Sequence, residues 1–303
     1  MDDLQLNSPE NPEKTAGTEG TAATAGTESA AGTESADAGS QLSLWPAEPQ
    51  PLGSPAPPAA PDPPWSLADL GAFVLFAAAS FLVANMVAVA AFLALRRGLA
   101  WNTTMEQAFL QTPFVVSMQT GWELLWFGFI YLTVTIKYRQ RFWEAVKWAG
   151  RPHAGGAYLL GGVALAFLAQ FLFYLFPSEK ELPIEKLFSS PGSAYLLAVF
   201  GICVAPFVEE LVFRGYFYPV FEKLWGLLAA VVLTALLFAA IHIPQLKGGW
   251  QEIASIFVVG AVFSYCRGKT GSLVPPFLMH LGYNVSLFVS LYLSTDRFQS
   301  LRG

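Results

Sequence analysis

Charge is what this chain has least of. Only 13% of its 303 residues are Asp, Glu, Lys or Arg, against 54% hydrophobic and 15% aromatic, at a mean hydropathy of +0.45. A soluble domain carries about twice that charge, so a soluble enzyme is excluded at the outset. Cysteine is nearly absent. Cys203 and Cys266 both sit in apolar runs, which fits packing and argues against a disulfide framework or a thiolate metal site. His-Glu-x-x-His, Gly-x-Ser-x-Gly and a Gly-rich phosphate loop are all missing, which argues against zincin, serine-hydrolase and nucleotide-driven chemistry. Nothing points to nucleic acid. No basic stretch followed by a short apolar run and a small-residue cleavage site stands at the start, so insertion is expected from the mature helices.

The net charge of -5 conceals a division. Residues 1–64 hold ten acids and one lysine, whereas the remainder holds 12 acids against 16 bases. This first segment repeats Ala-Gly-Thr-Glu from Ala16, Ala25 and Ala31 and then places nine prolines between Pro46 and Pro64. Such a composition cannot bury a core, so residues 1–64 are read as a disordered, acidic, Pro-rich tail and 65–303 as the membrane-embedded domain.

A bilayer core of ~30 Å asks for about 20 apolar residues per helix. Seven stretches qualify, with six to eight the range: 73–95, 113–136, 156–176, 194–214, 227–243, a short one at 253–266, and 274–293. The predicted fold is all-α, a polytopic transmembrane bundle. Lys137, Arg139, Arg141, Lys147 and Arg151 follow the second stretch, so that loop and the tail are predicted to be cytoplasmic. Arg96 and Arg97 then fall on the other side.

Ionisable residues inside a membrane cost roughly 2.5–3.5 kcal/mol each and mark pathways or reaction centres. Here they gather in three places: Glu209-Glu210 with Arg214, Phe238 with His242, and His280 with Asn284. Residues four apart share a helix face, so Glu210 can pair with Arg214 while Glu209 points elsewhere and stays available for chemistry. His280 and Asn284 likewise share a face. Each motif alone has a bland explanation, as an ion pair or a capped helix end. One free acid, two histidines and an amide on three apolar helices share no structural reason to coexist. Glu123 is a further acid in an apolar run, read as a packing-region group. Pro206 predicts a kink just before the acids, and Pro275-Pro276 opens the last helix.

Peptide hydrolysis needs a base for water, donors for the oxyanion and an acid for the leaving amine. Glu209 with His242 can activate the water, directly or through a metal, and His280 with Asn284 can hold the oxyanion. Glu209, His242 and His280 would also be the ligands of a catalytic zinc, so the cofactor is either none or a divalent metal. The same residues suit two other readings, a proton relay in a transporter or a silent membrane scaffold. Geometry strains the set: about 15 apolar residues precede both Glu209 and His242 on neighbouring antiparallel helices. Those depths, ~22 Å each at 1.5 Å per residue, exceed one bilayer core together. One helix must tilt or extend past the hydrocarbon near Phe221 to Leu227.

At these motifs the sequence resembles the CPBP family, the CAAX-protease and bacteriocin-processing (Abi) intramembrane proteases, which include the type II CAAX prenyl endopeptidases. The family shows Glu-Glu-x-x-x-Arg, Phe-x-x-x-His and His-x-x-x-Asn in that order, read here at Glu209 to Arg214, Phe238 to His242 and His280 to Asn284. The specific part of the resemblance lies within 204–284. It implies an inner-membrane endopeptidase with a cavity open toward the cytoplasmic leaflet, Glu209 as acid/base, His242 assisting, and His280 and Asn284 on the oxyanion. Glu210, Arg214 and Phe238 would shape the site. Its partners would be the bilayer and a peptide or protein substrate, with a lipidated CAAX C-terminus as the family's example. A metalloprotease label and a metal-free glutamate mechanism are both compatible with the motifs.

Overall fold

The computed structural model describes residues 63–98, 104–148, 154–175 and 182–300, and contains helices and no strand among them. The predicted disordered tail therefore lies, up to residue 62, outside the described residues. Six long helices make the bundle: α1 (Leu67–Gly98), α2 (Thr112–Leu132, prolonged by a π turn Thr133–Lys137), α3 (Gly155–Leu175), α4 (Pro191–His242), α5 (Trp250–Thr270) and α6 (Val274–Ser294). By length and composition α1, α3, α4 and α6 can each cross a membrane. Leu75, Met86, Leu160 and Leu228 stand largely exposed on the outside, as lipid-facing side chains do.

Helix α4 is really two legs. Gly226 joins them at φ 77°, ψ 178°, a conformation open essentially to glycine alone, and the second leg folds back antiparallel on the first. The bundle thus has seven rods, matching the seven predicted stretches. The register is visible in the rings of Phe213 and Phe238, thirteen residues before and twelve after the turn, whose centroids lie 5.3 Å apart.

That hairpin removes the depth conflict. Glu209 stands seventeen residues before Gly226 and His242 sixteen after it, so both lie ~25 Å from the turn at the same level. The first leg runs from 191 to 225, roughly 52 Å of helix, and so outreaches a ~30 Å core. Toward the turn, Tyr218 of α4 donates to Glu222, and its ring lies 5.8 Å from the Arg267 guanidinium of α5.

The predicted kink at Pro206 takes another form. The helix stays continuous, and a π turn at Phe200–Val204 precedes the proline, just as a second at Leu211–Phe217 precedes Pro219. In each, the residue before the proline donates its N–H five residues back: Ala205 to the Phe200 carbonyl and Tyr218 to the Phe213 carbonyl. The next donors in that pattern would be Pro206 and Pro219, which have no N–H. The carbonyls left over belong to Gly201 and Arg214. Asn284 Nδ2 of α6 donates to the first at 2.7 Å, and Arg267 Nε of α5 donates to the second at 3.1 Å. Proline thus creates two acceptors that only neighbouring helices can fill.

Helices α3 and α6 cross at paired glycines. A Cβ on Gly162 would collide with the Met279 carbonyl, and one on Gly282 with the Leu159 carbonyl, so the backbones touch as small residues permit. This crossing seats His280 and Asn284.

One end of the bundle holds the starts of α1, α3 and α6, the ends of α2 and α5, and the Gly226 turn. There Asp69, in the first turn of α1, accepts from Ser66 N–H at 2.8 Å and from Ser66 Oγ at 3.0 Å. Lys137 and Tyr138 also donate to the Asp69 carboxylate, and Leu273 N–H donates to the Lys147 carbonyl at 2.9 Å. The opposite end carries Arg96, Arg97, the 3₁₀ turn Pro183–Leu187 and the loop after His242.

Because Gly226 alone among common residues fits its backbone angles, Gly226→Ala should cost about 1–3 kcal/mol. Gly128→Ala on α2, where nothing lies within 4 Å of the new methyl, should not destabilise. Thermal unfolding of the two variants in the same detergent checks the difference.

Candidate active site

The site is assembled around one ion pair. Glu210 and Arg214, four apart on α4, are both 0% exposed, with Arg214 Nη1 2.9 Å from Glu210 Oε1. Arg214 spends its other donors on α5: Nε on Ser264 Oγ at 3.2 Å and Nη2 on the Gly260 carbonyl at 2.8 Å. Its guanidinium lies 4.5 Å from the centroid of Phe238, on the second leg, and 5.5 Å from that of Phe263. Glu210 Oε1 also receives His280 Nδ1 of α6 at 3.0 Å. Helices α5 and α6 and both legs of α4 therefore meet at a pair shut away from lipid and water.

Glu209, adjacent in sequence, faces a different way. Its carboxylate stands on a cavity, with Oε2 3.7 Å from His280 Nε2. His280 bridges the two acids, one ring nitrogen toward each. Since Glu210 can only accept, Nδ1 carries the hydrogen of that bond and Nε2 faces Glu209.

His242 completes the constellation from the end of α4. Its Nδ1 lies 2.8 Å from the Phe238 carbonyl, which can only accept, so Nδ1 is the protonated nitrogen and Nε2 is left basic. Its ring packs on Phe238 at 4.9 Å. Phe238 thus touches Arg214, His242 and His280 together, the last at 5.9 Å.

A cavity of about 470 Å³ unites the set. Glu209, Phe238, His242, His280 and Asn284 all line it, while Glu210 and Arg214 lie behind its wall. Asn284 has committed one amide hydrogen to Gly201 and keeps another. Sequence reasoning placed Glu123 as a packing group; it in fact lines this cavity, accepting from Gln119 Nε2 at 3.1 Å. Glu252 and Gln245 also line it and were not anticipated, since each sits at a helix end where polar residues are ordinary. Gln119 and Glu123, four apart in an apolar helix, were the available signal.

From Glu209 the cavity extends past Leu197, Leu246 and Leu291 to Ile184, the end of the bundle opposite the Lys137 loop. Beside it, an apolar groove of about 310 Å³ between α3 and α5 shares Phe173, Ser255 and Val259 with the cavity lining.

A metal route would need Glu209, His242 and His280 to close on one point. No three His, Cys, Asp or Glu side chains among the described residues do so. The donors do not fit a bound ion as they stand.

Fold and site define a multi-pass helical membrane protein with carboxylates and imidazoles facing a cavity within it. Residues 191–286 match the Rce1-like family, described as type II CAAX prenyl endopeptidase Rce1-like, and that segment contains all three motifs. The match supports, over that third of the chain, the resemblance to CAAX proteases of the CPBP family. An uncharacterized 24.3 kDa protein of Escherichia coli is 27% identical over 197 residues, covering 60% of this chain and 88% of that protein. The UPF0177 protein YbdI of Lactococcus lactis is 25% identical over 132 residues, covering 44% of this chain and 69% of its own. No solved structure matches.

Removing one member of a buried pair strands the other charge, at about 3–5 kcal/mol. Arg214→Met should therefore destabilise by that order, and the double variant Glu210→Gln with Arg214→Met by less. Thermal unfolding of the three proteins in one detergent measures the recovery.

Proposed function

We propose that the chain is an intramembrane endopeptidase in which Glu209 and His242 activate a water molecule. The observation that carries this is the separation of the two adjacent acids. Glu210 is neutralised and sealed by Arg214, whereas Glu209 faces the cavity with no cation bound to it. A water there can donate one hydrogen to Glu209 and the other to His242 Nε2, both of which accept. As its oxygen attacks the peptide carbonyl, Glu209 takes the proton and returns it to the departing amine. Asn284 donates its remaining amide hydrogen to the oxyanion, beside His280, which Glu210 holds through Nδ1. No step is routed through a metal.

The apolar groove between α3 and α5 suits a lipid-borne or lipidated substrate approaching from the bilayer, since it leads into the cavity wall at Phe173 and Ser255. Orientation follows from the short loops. Four bases between Lys137 and Lys147 outweigh the pair Arg96 and Arg97, which puts the α1 start on the cytoplasmic side. Glu209 itself, seven residues from Tyr216 where Trp65 Nε1 docks, lies only ~10 Å in from the Lys137 end.

The test is cleavage of a quenched-fluorescent peptide library, with lipidated and free C-termini, by detergent-purified protein. Glu209→Ala and His280→Ala should each lower turnover by at least about a hundredfold while remaining folded. Retained cleavage by Glu209→Ala overturns the role. Turnover should persist in chelator; a loss restored by zinc would favour the metal route. Proton flux into liposomes without any cleavage would favour transport.

A further inference from the structure

The cavity has an acidic side that water activation does not use. Glu123 is only 2% exposed, and with Gln119 on its Oε1 the other oxygen, Oε2, has no hydrogen-bond partner. Glu252, from the first turn of α5, also lines the cavity with a buried and unpartnered Oε2. Among the described residues lining it there is no Lys or Arg. Arg214 is walled off and already paired. Most of the remaining lining is apolar, including Val116, Leu187, Phe188 and Phe288.

An ionised carboxylate in such surroundings lacks the positive charge or donors that burial demands. Neither the fold nor the hydrolytic set supplies them, because His242 and His280 are engaged with Phe238 and with the acids of α4. A ligand can. Its chemistry is set by what is missing: a hydrogen-bonding cation carried on an apolar body.

We infer that Glu123 and Glu252 form a subsite for a cationic side chain of the substrate, so that the enzyme prefers a peptide bearing Lys or Arg near the scissile bond within an apolar stretch. The inference rests on the proteolytic reading and adds the substrate class to it. Glu252 meets an entering cation near the mouth, where Gln245 and Ile184 also lie, and Glu123 receives it deeper along α2.

Quenched peptides that differ at one position, lysine against the isosteric apolar norleucine against glutamate, scanned along an apolar sequence, test it. At one or more positions lysine should raise kcat/KM about tenfold or more over norleucine, and glutamate should lower it. Glu123→Gln and Glu252→Gln should bring the lysine-to-norleucine ratio toward one, and Glu123→Asp should restore part of it. Binding of the same peptides to folded Glu209→Ala protein, by calorimetry, gives the ratio without turnover. Cleavage or binding with no lysine preference at any position, or a preference that survives both Gln substitutions, overturns the subsite. If lysine-selective binding is found but wild type cleaves nothing, the subsite stands and the proteolytic reading fails.

Discussion

A guanidinium and a carboxylate with no access to water hold this bundle in its arrangement. Glu210 and Arg214 cannot separate without leaving a charge in a medium that solvates neither. Their contacts therefore act as fixed points: Ser264 and Gly260 locate α5, Phe238 locates the returning leg of α4, and His280 locates α6. The pair is not a reaction group, and that is why it matters for reaction. With Glu210 committed, the helix turn that carries it directs Glu209 about 100° away, onto open space. Loss of Arg214 would disturb the cavity from behind, through the imidazole it indirectly aims.

The two π turns perform a related task on the backbone. A regular α-helix satisfies its own carbonyls and has nothing to offer its neighbours. Each π turn followed by proline leaves one carbonyl open, and in both cases a side chain from another helix closes it. Asn284 is thereby fixed by Gly201 on the same stretch of α4 that carries Glu209, so the amide and the acid keep their spacing even though they come from helices far apart in sequence. Arg267 does the same at the Arg214 carbonyl, so the backbone of the buried pair is anchored as well as its side chains. π turns often mark functional sites, and here the reason is mechanical: they convert one helix into a docking strip for two others.

Much of this was legible in the sequence. The seven apolar stretches, the Glu210–Arg214 pairing and the shared face of His280 and Asn284 follow from helical periodicity and from the cost of charge in lipid. That a helix must tilt or run past the hydrocarbon near Phe221 to Leu227 followed from counting residues, because two groups on antiparallel rods must stand at equal distance from their common turn. What escaped was whatever depends on a third helix. Nothing in the spacing of Gln119 and Glu123 says which way α2 is rotated, so Glu123 could be recognised as unusual but not as a wall of the cavity. The π turns escaped for the same reason: Pro206 and Pro219 announce a missing N–H, but whether the chain bends or a neighbour donates is decided only when Asn284 and Arg267 arrive.

The placement of the mouth has a consequence for how water and peptide meet. Glu209 lies near the Lys137 end by helix count, while the cavity it lines reaches Ile184 and Gln245 toward the other end. A substrate in the cavity runs along a lining rich in Val, Leu and Phe, and an extended backbone there forfeits its hydrogen bonds to water. Only polar groups placed along the way reduce that loss. Gln119 and Glu123 of α2, Glu252 and Ser255 of α5, and Gln245 in the turn after α4 all line the cavity. Such a set excludes an apolar chain less than it rewards a peptide with donors at intervals, so selection of substrate does not rest on the water-activating groups alone.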